Sequence, residues 1–217
     1  MVKKENMAAI TITSLVIYVV FITLAILLYT GGIKTDLLKI KYSFWGNSLS
    51  DLGMITGYNG LSNLYSMVLF TIGTSMLGLS FIPFSLSFPE LFNENRVSWI
   101  LAFIGSILGY LVAAGMIGIA FTPHTTFPTI HMISVYIAYA SLFFSTVLYS
   151  IAIFIYKKIH NVYGIIAALF SVIFLGTLIM GLFGLDGMTN IMEISQKVGR
   201  GLTIITYIVL SIPLLKE

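Results

Sequence analysis

Six long apolar runs divide the chain, at about residues 8–30, 61–84, 97–120, 129–156, 162–184 and 198–215. Each reaches or approaches the roughly 20 residues that a helix needs to cross about 30 Å of hydrocarbon. No other feature restricts the fold as tightly. In lipid the backbone has no water to bond with, so only helices or closed barrels can span. Apolar and polar residues do not alternate here in units of about ten, which removes the barrel. The expected fold is all-α, a polytopic integral membrane protein whose six transmembrane helices form one bundle over residues 1–217.

Composition agrees with that reading. Only 9% of residues are charged, where a soluble domain carries about 25%, and mean hydropathy is +1.02. Cysteine is absent, which excludes disulfides, thiolate metal sites, iron–sulfur clusters and a cysteine nucleophile. The net charge of +3 is spread over short connections. No basic run interleaves with aromatics, so nucleic acid is not an expected partner. The apolar stretch from Ala8 to Tyr29 is too long for a cleavable signal and is read as the first permanent span. Basic residues are nearly balanced between the two faces. Lys3 and Lys4 beside the first span point to both termini in the cytoplasm, with the chain in the cell membrane.

An even number of crossings puts every odd-numbered connection on one face of the bilayer. Asn47, Ser50 and Asp51 fall in the first connection, His124 and His131 around the third, and Asp186, Glu193, Lys197 and Arg200 around the fifth. One face should therefore gather acids, imidazoles and cations. Glu90, Glu94, Arg96, Lys157, Lys158 and His160 on the other face read as solvated loops and anchors. Gly105, Gly109 and Ala113 in the third span, and Gly176, Gly181 and Gly184 in the fifth, would let neighbouring helices approach closely. The same faces would permit a homo-oligomer or a membrane-protein partner. Polar and apolar residues alternate over Lys39–Phe44, as in a half-buried extended strap at the headgroup level.

The sharpest local signal is Asn47-Ser-Leu-Ser-Asp-Leu-Gly53. Ser48 and Asp51 have capping-box spacing and would start a short helix. Asp51 would also present a carboxylate to a polar pocket, held by helix amides. His124 and His131 frame a Pro-His-Thr-Thr-Phe-Pro turn. Pro128 suits a first helical turn, so His131 sits near a helix N-terminus, where the dipole favours a neutral imidazole. Such a ring serves as a metal ligand or general base. On one continuous helix the two histidines would stand about 10 Å apart, so shared ligation needs the turn to fold back. Arg200 lies at the hydrocarbon boundary of the last run. It would either snorkel to the headgroups or face inward, paired with Asp51 or Asp186 or holding a lipid phosphate. Glu193 and Lys197 are placed to pair on a helix surface, and Asp186-Gly187 is a turn signal.

The Asn-x-x-Ser-Asp-Leu-Gly stretch after the first of six spans resembles the uncharacterised prokaryotic membrane family described as domain of unknown function 998. A His-containing turn before span four, and Gln196-Lys197 before span six, extend the resemblance. More distantly, Leu49-Ser50-Asp51-Leu52-Gly53 is similar to a motif of damage-regulated autophagy modulators and GPI-lipid-remodelling proteins. That similarity implies a role in lipid organisation or remodelling.

The expected function is the binding or organising of membrane lipid, or the scaffolding of a membrane partner, through a pocket on the odd-loop face. No cofactor is required, and Lys197, Arg200, Asn47 and Asp186 would be the ligand-binding residues. The alternative is a metal-assisted intramembrane lipid hydrolase. There His124, His131 and Asp51 would hold zinc, Ser50 would assist, and bound water would attack. A transporter is disfavoured because the other spans lack interior acids.

Overall fold

The computed structural model describes residues 3–184 and 191–215. Six helices run in order: α1 (Lys4–Leu28), α2 (Leu64–Ser87), α3 (Arg96–Phe121), α4 (Pro128–Ile155), α5 (Asn161–Gly184) and α6 (Ile191–Leu215). All six are long and apolar enough to cross a membrane. The protein is thus an all-α, multi-pass membrane bundle. Each helix packs on the next, and α6 returns to α1, closing a ring. Two short 3₁₀ helices, Leu49–Gly53 and Phe88–Phe92, lie in the first connection and at the end of α2.

Helices embedded in lipid are apolar all round, so what separates the inner from the outer face is size and hydroxyl content. The buried face of α3 carries Ala102, Gly105, Ser106, Gly109 and Ala113, and that of α4 carries Ser134, Ala138, Ser141 and Ser145. Bulky Ile, Leu, Val and Phe point outward. Close approach lets hydroxyls bridge helices. Ser145 donates to the Gly105 carbonyl at 2.8 Å and Ser150 to that of Gly164 at 2.9 Å. The small residues expected to pack in α3 do so. In α5, Gly176 has open space where a Cβ would stand.

Helix starts follow their local chemistry. The Asn95 side chain accepts from the Ser98 N–H at the start of α3, and Pro128 occupies the first turn of α4. The largest departure from expectation is α6, which begins at Ile191 rather than near residue 198. Lys197 and Arg200 therefore lie inside the helix. The strap also differs. Ile40 is 82% exposed and Lys41 turns the chain with φ of 69°, so Lys39–Phe44 is not a half-buried extended segment.

The two ends of the bundle are unlike. At the end shared by the chain termini, Phe81, Phe84, Phe88 and Phe92 of α2 and its extension interlock with Tyr149 of α4 and Tyr207 of α6. Their ring centroids lie 4.5–5.6 Å apart, and all six rings are fully buried. An exposed ion pair between Lys158 and Glu94 ties the fourth connection to the second at this face. The other end, where the first and third connections meet, is hollow.

Candidate functional site

The first connection is built to hold one acid still. Gly31 and Gly32 leave α1 with φ of +116° and +85°. A Cβ on Gly32 would stand 2.6 Å from the Asn59 nitrogen, so this fold-back requires glycine. It places the Gly32 carbonyl where Asn47 Nδ2 donates to it at 3.0 Å. The same amide donates to Asp51 Oδ2 at 2.9 Å, and Asn47 Oδ1 accepts from the Ser43 N–H at 2.9 Å. Ser48 caps the 3₁₀ helix: its hydroxyl accepts from the Asp51 N–H at 3.2 Å and donates to Asp51 Oδ1 at 2.7 Å. Asp51 Oδ2 accepts in turn from the Ser48 N–H at 3.0 Å, and Tyr58 donates to Oδ1 at 3.4 Å. The expected capping box is present. Asp51 is only 2% exposed, and its carboxylate is bonded to donors of its own connection, with His124 of the third connection beside it; it does not line the cavity. Burial first, and the Asp51 charge second, push the phenols of Tyr29, Tyr42 and Tyr58 above their ordinary range. They act as donors at neutral pH.

The third connection folds back on itself. Thr126 and Phe127 N–H groups both donate to the Pro123 carbonyl, at 3.0 and 2.8 Å. The two imidazoles come to a centroid separation of 5.9 Å, which a straight helix forbids. His131, 3% exposed, has Nδ1 2.6 Å from the Thr122 carbonyl and Nε2 3.2 Å from Ser50 Oγ. A carbonyl only accepts, so Nδ1 carries the hydrogen and, in the neutral ring, Nε2 is the acceptor facing the Ser50 hydroxyl. His124 Nε2 lies 3.6 Å from Asp51 Oδ1. Burial holds the His124 imidazole below its ordinary value, and Asp51 offsets this in part.

That depression has a consequence for stability. As pH falls below about 6.5, the unfolded chain takes up a proton on His124 before the folded one does, so acidification favours unfolding. Melting in detergent is expected to drop through this region, with His124→Gln flattening part of the drop. An identical slope in the variant would place the effect on another group.

The zinc alternative asked Asp51, His124 and His131 to converge. Among the described residues, no group of three or more His, Cys, Asp or Glu side chains is placed to hold a metal ion. Asp51 spends its lone pairs on Asn47, Ser48 and Tyr58, and both nitrogens of His131 are engaged. The three residues are neighbours but not a ligand set.

Above the dyad of Ser50 and His131, a cavity of about 330 Å³ runs into the bundle. Its mouth is polar, with Lys34, Ser50, His124 and His131. Its walls are mainly apolar, from Phe70, Ile119, Val135 and Leu178. At depth it meets Tyr18, Tyr139 and Arg200. A second space of about 220 Å³ lies in the groove between α1 and α6, lined by Val19, Ile22, Ile26 and Ile204. Arg200 borders both spaces.

Arg200 is 9% exposed, so it faces inward and does not snorkel. It lies nine residues into α6, about 14 Å along the axis. Its Nη1 approaches Met116 Sδ at 2.7 Å and Nη2 approaches the Tyr139 hydroxyl at 3.4 Å. The rings of Tyr18 and Tyr139 lie 6.0 and 5.7 Å from its Cζ. Its Nε is buried without a partner. Among the described residues no carboxylate pairs with it, Asp51 included. Asp186 lies outside the described residues. Lys197, by contrast, is committed. Its ammonium donates to the backbone carbonyls of Asn47 and Glu193 and lies over the rings of Tyr42 and Phe44. It clamps α6 to the first connection. Asn47, fully buried, is likewise a structural node outside the cavity lining.

Sequence reasoning missed Thr122, which acts through a backbone carbonyl and leaves no residue signature. It also missed Tyr139. There a signal existed, because His131, Val135 and Tyr139 follow at four-residue steps on one face of α4. No protein-family model matches the chain, and neither a curated protein nor a solved structure matches it.

Proposed function

We propose that this protein binds an acidic membrane lipid, with its headgroup in the cavity beside Arg200 and its acyl chains lying along the groove between α1 and α6. One observation carries the reading: a buried guanidinium at the junction of the two spaces, with an unpartnered Nε and no carboxylate among the described residues. A charge at this depth is costly unless an opposite charge matches it. A guanidinium holds phosphate or carboxylate through paired donors. The apolar groove supplies what an acyl chain needs, and Gly201, which borders it, has no atom within 4 Å of where a Cβ would stand. The resemblance of residues 49–53 to lipid-remodelling proteins supports a lipid over a small anion. Lys3 and Lys4 support placing the termini in the cytoplasm, which turns the mouth of the cavity to the opposite side of the cell membrane.

Protein extracted in mild detergent should retain acidic lipid at near-stoichiometric levels, measured by mass spectrometry. Arg200→Met should reduce it by roughly 10- to 100-fold, the factor for losing hydrogen bonds to a charged group. Lys158→Ala, on the far face, should retain it. Equal lipid content and identity in Arg200→Met and the parent protein would end the proposal.

A further inference from the structure

The geometry points to Ser50 as a nucleophile, activated by His131, that cleaves a carboxylic ester of the lipid held in the cavity. The inference rests on the lipid reading and adds a reaction to it.

Four observations carry it. First, Ser50 and His131 stand 81 residues apart on separate elements, and their side chains meet at 3.2 Å. Both border the cavity. Second, the Thr122 carbonyl at 2.6 Å fixes the ring so that the Nε2 lone pair faces the serine. Orienting the base by a third group is what a nucleophile–base pair requires; here a backbone carbonyl fills that place. Third, the Ser50 hydroxyl is used differently from several hydroxyls of the helices. Ser134, Thr146, Ser171, Thr203 and Ser211 donate back to a carbonyl one turn earlier in their own helices. Such bonds only satisfy a hydroxyl. Ser50 instead directs its proton to a base. Fourth, the segment carrying Ser50 is rigid, because Asp51 next to it is bonded to Ser48, Asn47 and Tyr58. Asp51 is thus a positioning residue and touches no substrate.

The chemistry closes without a metal or redox partner. Ser50 Oγ forms a bond to the acyl carbon while its proton passes to His131 Nε2. The tetrahedral species collapses, the carbon–oxygen bond to the lipid alcohol breaks, and the leaving oxygen takes the proton from His131. Water entering from the loop face gives a proton to His131 and attacks the acyl-serine. Fatty acid leaves, and Ser50 recovers its proton. Arg200, deeper in the cavity, would hold the acidic headgroup and so fix which bond reaches Ser50.

The test uses the full chain in detergent with a long-chain alkyl fluorophosphonate, followed by peptide mapping, on samples whose retained lipid is measured in parallel. One phosphonyl adduct is expected, on Ser50. Ser50→Ala should carry none. His131→Gln should label at least about 100-fold more slowly, the usual range for loss of a general base. His160→Gln on the far face should label as the parent does. An unlabelled Ser50 in parent protein that melts normally and retains lipid overturns the nucleophile and leaves lipid binding standing. Adduct on Ser50 in protein that retains no acidic lipid upholds the nucleophile and overturns the headgroup site. Labelling that is equally fast in His131→Gln overturns the assignment of the base.

Discussion

Asp51→Ala should be the most damaging single change in the loop face, lowering stability by roughly 2–5 kcal/mol. Removing the carboxylate strands the Ser48 N–H, the Ser48 hydroxyl and one proton of the Asn47 amide. All three belong to buried residues, and each buried donor left unsatisfied costs about 1–3 kcal/mol. Asn47 keeps its bond to Gly32, which limits the sum. Asp51→Asn restores the volume but turns an amide towards donors, so it should recover less than half of the loss. Unfolding in detergent measures the cost, and limited proteolysis across residues 33–63 locates it. A change within about 0.5 kcal/mol, the range of a neutral surface substitution, would show that the carboxylate does not hold the segment.

Gly115→Ala is the second large effect, and it joins helix packing to the site. A Cβ at Gly115 would stand 2.7 Å from the Ala138 nitrogen and 2.8 Å from the Ser134 carbonyl oxygen. Both are α4 backbone atoms, so no side-chain rotation relieves the clash and the helices must separate. Overpacking of this kind costs about 1–3 kcal/mol, and Gly115→Val should cost more. Thr122 and His131 each lie seven residues beyond the contact, about two turns along α3 and α4. Spreading the helices lengthens the 2.6 Å bond that orients the imidazole. Gly176→Ala is the matched control. Nothing lies within 4 Å of its Cβ position, and alanine favours helix by up to about 1 kcal/mol. Melting of the two variants should move in opposite directions. Equal shifts would remove the α3–α4 contact as the cause.

The bundle was legible in the sequence because hydropathy and length alone decide it, and the parity of six crossings correctly brought the first and third connections together, while residues 185–190 of the fifth lie outside the described residues. The start of α6 was not legible by those means. Glu193 and Lys197 interrupt the apolar window, yet both belong to the helix, and the Lys197 ammonium finds its partner in the first connection rather than in lipid. The inward direction of Arg200 could have been read from spacing. It continues the stripe of Glu193, Thr203, Tyr207, Leu210 and Leu214, all buried on one face of α6. The pairing of Ser50 with His131 could not, since it depends on where α4 begins relative to a 3₁₀ helix 81 residues away. Charge also misled. Lys197 and Asn47 carry the polar groups that a ligand site uses, but both are consumed in joining the first connection to the bundle.

The interlocked rings of Phe81, Phe84, Phe88, Tyr149 and Tyr207 give the molecule a floor. The rings stand beyond the midpoints of α2, α4 and α6 as counted from the loop face, so a solute entering there would meet an aromatic wall before the far end of the bundle. On the proposed lipid role, a captured molecule would leave by the way it came or sideways into the bilayer, which would confine each encounter to one compartment and its bordering leaflet.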